Sequence, residues 1–323
     1  MSPNPLTEHK QLFEAILAEQ RKVIVGQEHL VRRLLLGLLC GGHLLIEGVP
    51  GLAKTLAVKT LADTIDATFH RIQCTPDLLP ADLIGTQVYD AREATFRLHL
   101  GPVFTDLLLV DEINRAPAKV QSALLEAMQE RQVSIGGETH PLGPLFMVLA
   151  TQNPIEHDGT YPLPEAQIDR FMLKVLVTYP SPWEENRVVR DHLAPQEPTV
   201  ERVARPEALL AARAALSQVL IEEPLLDYIV RLVSATRQPE EFGLPDLKPL
   251  IAYGASPRAS VYLALTARAA ALLDGRDYVL PDDIKELAFD VMRHRVILTY
   301  EAEAERITSD DILSRLLSSV AVP

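Results

Sequence analysis

Residues 48–55, Gly-Val-Pro-Gly-Leu-Ala-Lys-Thr, stand between the apolar run His43–Glu47 and a helix-forming stretch from Lys54 to Asp66. A glycine-bearing loop in that position presents successive backbone N–H groups. The helix that follows adds the positive end of its dipole, so the segment is suited to hold phosphate. Gly48, Val49, Pro50, Gly51, Leu52 and Ala53 would form the cradle, with Leu56 in the first helical turn. Lys54 would reach the β- and γ-phosphates of a nucleotide, and the Thr55 hydroxyl would hold Mg²⁺. One position departs from the usual pattern. Ala53 stands where glycine is expected before the lysine, and alanine fits only if the backbone there needs no positive φ.

A second acidic site completes this chemistry. Leu107–Val110 is wholly apolar and ends in Asp111 and Glu112. Placing two carboxylates at the end of a buried strand is costly unless a metal or donors compensate. Asp111 is therefore assigned to the Mg²⁺ shell, directly or through water, and Glu112 to polarising an attacking water. Asn153, in Ala150-Thr151-Gln152-Asn153-Pro154, could orient that water without adding charge, although Asn-Pro is also an ordinary turn signal. Arg170, in Glu165–Phe171, could neutralise a transferring phosphoryl group from its own or a neighbouring subunit. Arg258 follows Ser256-Pro257, a pair suited to the cap and first turn of a helix, and could report nucleotide state from a rigid helix start.

The elements that must position these groups are legible as periodicity. Short apolar runs at His43–Glu47, Thr68–Gln73, Leu107–Val110, Phe146–Thr151 and Phe171–Val177 alternate with helical patterns such as Lys54–Asp66 and Ala118–Gln129. Continuous apolar runs fit strands covered on both faces, and the alternation predicts a parallel sheet with helices on both sides. Helices are also expected over residues 6–40, broken at Gly26-Gln27. Gly136-Gly137 predicts a hairpin over Gln132–Leu142, and a weaker hairpin signal spans Thr86–Leu98. Tyr179-Pro180-Ser181-Pro182 reads as a hinge. Beyond it the candidates are helices alone: Leu209–Leu220, Glu223–Thr236, Pro257–Asp274, Pro281–His294 and Ser309–Ser318.

The chain has 323 residues, 47% hydrophobic and 23% charged, which excludes a long disordered protein. Its length passes the roughly 250–300 residues at which one core stops growing, so two domains are expected, 1–180 and 181–323. No stretch nears the ~18 apolar residues of a membrane span, and the first residues do not resemble a signal peptide, so a cytoplasmic protein is expected. The net charge of -13 is spread over both halves, and no long basic stripe favours nucleic acid. Cys40 and Cys74 cannot form a disulfide framework; Cys40 is expected in the core. The nine histidines, His157 among them, show no metal-binding spacing and read as surface or packed residues.

With these motifs in order, the chain resembles the MoxR family of AAA+ ATPases, in the clade with an insert in its second helix. The resemblance runs from Val25-Gly26-Gln27 through Gly101-Pro102-Val103-Phe104, Asp111-Glu112-Ile113-Asn114-Arg115 and Ala150–Pro154 to Leu280-Pro281-Asp282-Asp283-Ile284 and Asp310–Leu313. It implies that Lys54 and Thr55 are the Walker A pair, Asp111 and Glu112 Walker B, Asn153 sensor 1, Arg170 the arginine finger and Arg258 sensor 2. Gly26 and Gln27 join the nucleotide contacts. Residues 86–98 resemble part of the helix-2 insert and 132–142 the pre-sensor-1 hairpin. The family often carries alanine at the position of Ala53. It implies an α/β P-loop core with five parallel strands in the order 5-1-4-3-2, followed by an all-helical lid. It further implies ATP and Mg²⁺ as cofactors, a homo-oligomeric ring (typically a hexamer), and a chaperone-like role toward a client such as a von Willebrand factor A domain protein. Three alternatives stand beside it: a nucleic-acid motor with Arg92, Arg97, Lys119 and Arg131 lining a pore, a non-hydrolysing nucleotide-gated scaffold, and a magnesium-chelatase-type subunit.

Overall fold

A computed structural model describes residues 5–154, 160–195 and 198–323; His157 lies outside the described residues. In chain order the elements are α1 (Pro5–Val23), α2 (Glu28–Cys40), β1 (Leu44–Glu47), α3 (Lys54–Thr64), β2 (Phe69–Gln73), α4 (Pro80–Ile84), β3 (Gly85–Asp90), β4 (Thr95–Leu100), β5 (Leu107–Asp111), α5 (Ala118–Glu130), β6 (Gln132–Ile135), β7 (Glu138–Pro141), β8 (Met147–Gln152), α6 (Glu165–Ile168), β9 (Leu173–Leu176) and α7 (Pro182–Leu193). They continue with α8 (Pro206–Ala215), α9 (Glu223–Ala235), β10 (Ile251–Tyr253), α10 (Pro257–Leu273), α11 (Pro281–Met292), β11 (Ile297–Leu298), α12 (Tyr300–Ala304) and α13 (Ser309–Ser319).

Five strands form one sheet in the order β2-β5-β8-β1-β9. Counted along the chain as core strands one to five, this is 2-3-4-1-5, the expected order 5-1-4-3-2 read from its other edge. The β2–β5, β5–β8 and β8–β1 pairs are parallel. The three inner strands justify their apolar sequences. Leu44–Ile46, Leu107–Leu109 and Val148–Ala150 are all fully buried, each large aliphatic contributing about 1.5–3 kcal/mol of transfer free energy. Strand β2, Phe-His-Arg-Ile-Gln, differs. It lies at the sheet edge, and His70, Arg71 and Gln73 are exposed. An edge strand tolerates polar side chains that a central one excludes.

Compact contacts divide the chain into two units. One comprises Glu14–Arg170 and Val175–Leu210; the other holds the chain before Glu14, Phe171–Lys174 and Ala211–Pro323. In the first unit the expected hairpins are present. β3 pairs with β4 over Gly85–Leu100, and β6 with β7 through Gly136 and Gly137, both at positive φ (61° and 90°), as a two-residue hairpin turn needs. The two hairpins touch: a Cβ on Gly136 would lie 2.2 Å from the Gln87 side chain.

Ser181-Pro182, part of the expected hinge, opens helix α7 instead. The Ser181 side chain accepts from Glu184 N–H, the Glu184 carboxylate accepts from Ser181 N–H at 2.8 Å, and Pro182 fills the first turn. Expected helix starts also appear in the second unit. The Asp283 carboxylate accepts the Leu280 N–H at 2.7 Å and pairs with Arg276 at 2.6 Å. Ser256 occupies the cap position of α10 but makes no capping bond through its side chain, contrary to expectation. A short antiparallel ladder, β10 with β11, ties two connections of this helical unit together. Cys40 is half-buried at the end of α2 rather than a core residue.

Candidate active site

The C-terminal ends of β2, β5 and β8 and the loop after β1 surround a cleft of about 400 Å³. Its walls are Pro50–Leu56 on one side and Asp111, Glu112, Thr151, Asn153, Arg71 and Gln73 on the other. Two expected groups of residues, the phosphate loop and the acidic strand end, thus face one space. Ligand sites outside the carboxyl ends of parallel strands are a general property of open α/β sheets.

Sequence explains the loop's shape. Gly48 is buried where a Cβ would come within 2.7 Å of the Val177 carbonyl oxygen, so only glycine lets the loop leave β1 beside the end of β9. Gly51 has φ +84°, the left-handed region that favours glycine. Ala53 also sits in that region, at φ 57° and ψ 18°. The condition set by the sequence, that alanine fits only without a positive φ, is not met. The chain instead carries a left-handed alanine, which costs on the order of 1–2 kcal/mol for a residue with a Cβ.

The Lys54 ammonium donates to the Gly48 carbonyl at 2.5 Å, curling back over the loop. Burial lowers its pKa, and the carboxylates of Asp111, Glu112 and Glu47 oppose that shift. Thr55 follows it into the cleft wall.

The acid pair is held by neighbours on both sides of β5. Thr151 on β8 donates its hydroxyl to Asp111 Oδ1 at 2.9 Å and accepts the Glu112 N–H at 2.9 Å. From the other side, Arg71 on β2 donates Nε–H to Asp111 Oδ2 at 2.7 Å and Nη2–H to Gln73 Oε1 at 3.0 Å. Glu112 is left-handed, at φ 56°, and its carboxylate pairs with Arg115 at 3.0 Å. The Cys74 N–H donates to the Asp111 carbonyl at 2.9 Å. The Cys74 thiol is pushed up to about 12 by burial and by the Asp111 and Glu112 carboxylates, so it carries no thiolate at neutral pH.

Arg71, Gln73 and Thr151 were not singled out from the sequence. The order 5-1-4-3-2 was the available signal, because it puts strand two beside strand three. Parallel register then sets Gln73 opposite Asp111, and Arg71 two residues before it on the same face.

Other expected residues lie elsewhere. Gly48 and Val49 precede the lining stretch. Gly26 and Gln27 do not line the cleft: Gln27 Nε2 donates to the Thr178 carbonyl at 3.2 Å, and a Cβ on Gly26 would meet Glu184 at 3.0 Å. Arg170 also lies off the cleft, donating Nη1–H to the Leu125 carbonyl at 3.2 Å. Arg258 begins α10 in the other unit.

Among the described residues no group of three or more His, Cys, Asp or Glu side chains could cage a metal. The oxygens of Thr55 and Asp111 nonetheless suit Mg²⁺, which takes one or two protein oxygens and fills its octahedron with phosphate oxygens and water.

Residues 43–173 match the model of the ATPase family associated with various cellular activities (AAA), and residues 246–316 match the AAA lid domain. The chain is 52% identical over 311 residues to Chaperone MoxR1 of Mycobacterium tuberculosis, covering 96% of this chain and 82% of that protein. It is 32% identical to Protein MoxR of Paracoccus denitrificans, with 93% of each covered. A crystal structure of a protein from Cytophaga hutchinsonii has the same fold at TM-score 0.94 and 50% identity, covering 99% of this chain and 97% of that one. A nucleotide-binding core and a helical lid matched in that order, with identity sustained along nearly the whole chain, leave one assignment: the protein is an ATP-hydrolysing enzyme and belongs to the MoxR family of AAA+ ATPases.

Proposed function

We propose that the cleft binds Mg-ATP and directs water onto the γ-phosphate, and that the protein uses this cycle to mature or remodel a partner protein. The observation that carries the first half is the convergence of Lys54, Thr55, Asp111, Glu112 and Asn153 on one space. Lys54 exchanges the Gly48 carbonyl for phosphate oxygens. Thr55 and Asp111 would hold Mg²⁺, which when bound would neutralise charge on the phosphates. Glu112 leaves Arg115 and takes up a hydrogen bond from the attacking water, while Asn153 fixes that water's position. Arg170, off its own cleft, completes the site of an adjacent subunit in a homo-oligomeric ring, taken as a hexamer. Arg258 senses the bound state from the helical unit.

Glu112→Gln is the direct test: nucleotide binding is retained and turnover is lost. Mixing Glu112→Gln protein with Arg170→Ala protein then tests the shared site. Activity in the mixture above that of either alone supports it, and full activity of Arg170→Ala alone defeats it.

The partner half rests on two supports. One relative is named a chaperone. The β3–β4 hairpin also holds Val88, Tyr89, Phe96, Leu98 and Leu100 exposed, with Tyr89 and Phe96 in contact at 5.3 Å between ring centroids. Exposed apolar groups of this size mark protein contact surfaces. A client of the von Willebrand factor A type is the expected partner, and capture by Glu112→Gln protein in ATP tests it. The nucleic-acid alternative loses two of its cations. Arg97 is paired with Asp90 and Glu93, and Arg131 turns inward to the Phe146 and Gly41 carbonyls. Among the described residues no helix is long and apolar enough to cross a membrane.

A further inference from the structure

The guanidinium of Arg71 does what a metal ion would do at Asp111. It lies 2.7 Å from Oδ2, on a side chain that is 12% exposed, while Oδ1 is already taken by Thr151. Without a cation there, the cleft would hold Asp111 beside Glu112 with the Arg115 pairing to Glu112 and the charge of Lys54 across the cleft to relieve them, and no ion pair on Asp111 itself. Leaving one partner of a part-buried ion pair uncompensated is costly, so a cation at Oδ2 is favoured before Mg-nucleotide arrives. Arg71 is placed to be that cation. It stands on the edge strand in register with the residue two before Asp111, Gln73 holds its fork, and its side chain is 48% exposed. Half-exposure means that it can leave Oδ2 and be rehydrated at small cost.

We infer that Arg71 is a positioning residue that stands in for the metal at Asp111 in the empty site and gives up Oδ2 when Mg-nucleotide loads. The inference rests on the reading of the cleft as a Mg-nucleotide site. With Oδ1 bonded to Thr151, a divalent ion on Asp111 would compete with the guanidinium for Oδ2, and their like charges oppose joint occupancy. Arg71 therefore opposes the metal while favouring phosphate in its absence, because it offsets the carboxylates that would repel a bare nucleotide. The metal and the nucleotide are coupled through it, and that coupling is a measurable ratio.

The test is calorimetric titration of ADP into nucleotide-free wild type, Arg71→Gln and Arg71→Lys, each in EDTA and in excess Mg²⁺. The readout is Kd in EDTA divided by Kd in Mg²⁺. Arg71→Gln keeps hydrogen-bonding capacity and removes the charge. It is expected to weaken ADP in EDTA, leave or improve it in Mg²⁺, and raise the ratio about fivefold or more, within the usual span of coupling. Arg71→Lys keeps a cation and is expected to stay within about twofold of wild type, a small fraction of one tenfold step. In an Asp111→Asn background Arg71→Gln should leave the ratio unchanged.

An unchanged or lower ratio for Arg71→Gln overturns the inference, and so does an equal rise in the Asp111→Asn background. General damage to the fold weakens ADP equally in both media and so gives the unchanged ratio. Wild type that binds no ADP in Mg²⁺ defeats the nucleotide reading itself, whereas wild-type binding with an unchanged Arg71→Gln ratio defeats only the role of Arg71.

Discussion

Thr151→Val is the sharpest perturbation of the acid pair that leaves the phosphate loop untouched. Thr151 is 2% exposed, and Val nearly matches its shape, so the change removes a hydroxyl and little volume. Two bonds of 2.9 Å go with it. Asp111 loses a charge-assisted donor, typically worth about 1.5–3 kcal/mol, and the Glu112 N–H loses its acceptor, which costs about 1–3 kcal/mol for a buried donor. Arg71 still holds Oδ2 and the cleft can admit water to Oδ1, which reduces the first term. The net expectation is about 2–3 kcal/mol of lost stability.

The consequence for catalysis follows from the backbone. Glu112 is held left-handed at φ 56°, and the bond from its own N–H to Thr151 is one of the constraints that keep it there. Released, its carboxylate shifts, and a misplacement near 1 Å costs on the order of 100-fold in rate. Turnover at saturating ATP should fall roughly 10–100-fold, while nucleotide Kd, assigned in the proposed function to Lys54 and the loop amides, should change less than about threefold. Thr151→Ser keeps the hydroxyl, loses about 0.8 kcal/mol for the methyl group, and should retain most activity. Urea unfolding gives the stability term and phosphate release the rate. A valine protein as stable as wild type and equally fast would refute the argument that this hydroxyl fixes the acid pair.

Ala53→Gly removes a Cβ from a left-handed residue, relieving about 1–2 kcal/mol against about 0.4–1 kcal/mol of added freedom in the unfolded chain, and should raise stability by up to about 1 kcal/mol in urea titration. Gly48→Ala puts a Cβ 2.7 Å from the Val177 carbonyl oxygen, so the loop must move and nucleotide affinity should drop more than about tenfold by calorimetry. His43 is buried as the neutral imidazole, accepting from Val148 N–H at 2.9 Å and donating to the Met128 carbonyl at 3.1 Å; burial and Arg131 lower its pKa to about 3. Its folded pKa lies below the unfolded 6.5, so its contribution is full above pH 6.5 and is lost as pH falls toward about 3; between pH 7 and 5 wild type should lose about 2 kcal/mol more than His43→Asn.

The sheet was legible because its inner strands are buried on both faces and therefore spell continuous apolar runs. Their observed bounds differ from the expected ones by a residue or two, as with Leu44–Glu47 against His43–Glu47. The helix α7 is hard to read because Pro180-Ser181-Pro182 carries the signal of a hinge, although Ser181-Pro182 with Glu184 three residues on is also a helix start. The phosphate loop and acid pair were legible because their residue types are demanded by chemistry at fixed spacing. The φ of Ala53 was not, since no side-chain pattern encodes a left-handed alanine. Arg71 and Thr151 were hidden for a different reason. Each acts on a residue 40 positions away in sequence, so each becomes meaningful only when strand order and register are known together.

Lys54 and Arg71 share a condition that bears on how the site loads. Each cation rests on a protein oxygen, Lys54 on the Gly48 carbonyl and Arg71 on Asp111 Oδ2. Each contact is one that a bound phosphate or metal would replace. Loading can then proceed by exchange of side-chain partners, with the strands of β1, β5 and β8 left in register. A cleft whose carboxylates are already compensated presents phosphate with less repulsion than a bare acid pair would, which favours nucleotide entry ahead of any movement of the backbone. The rigid part of the site is the sheet, whose neighbours fix Asp111 from both sides. The adaptable part is two long cationic side chains and a loop already carrying left-handed strain at Ala53.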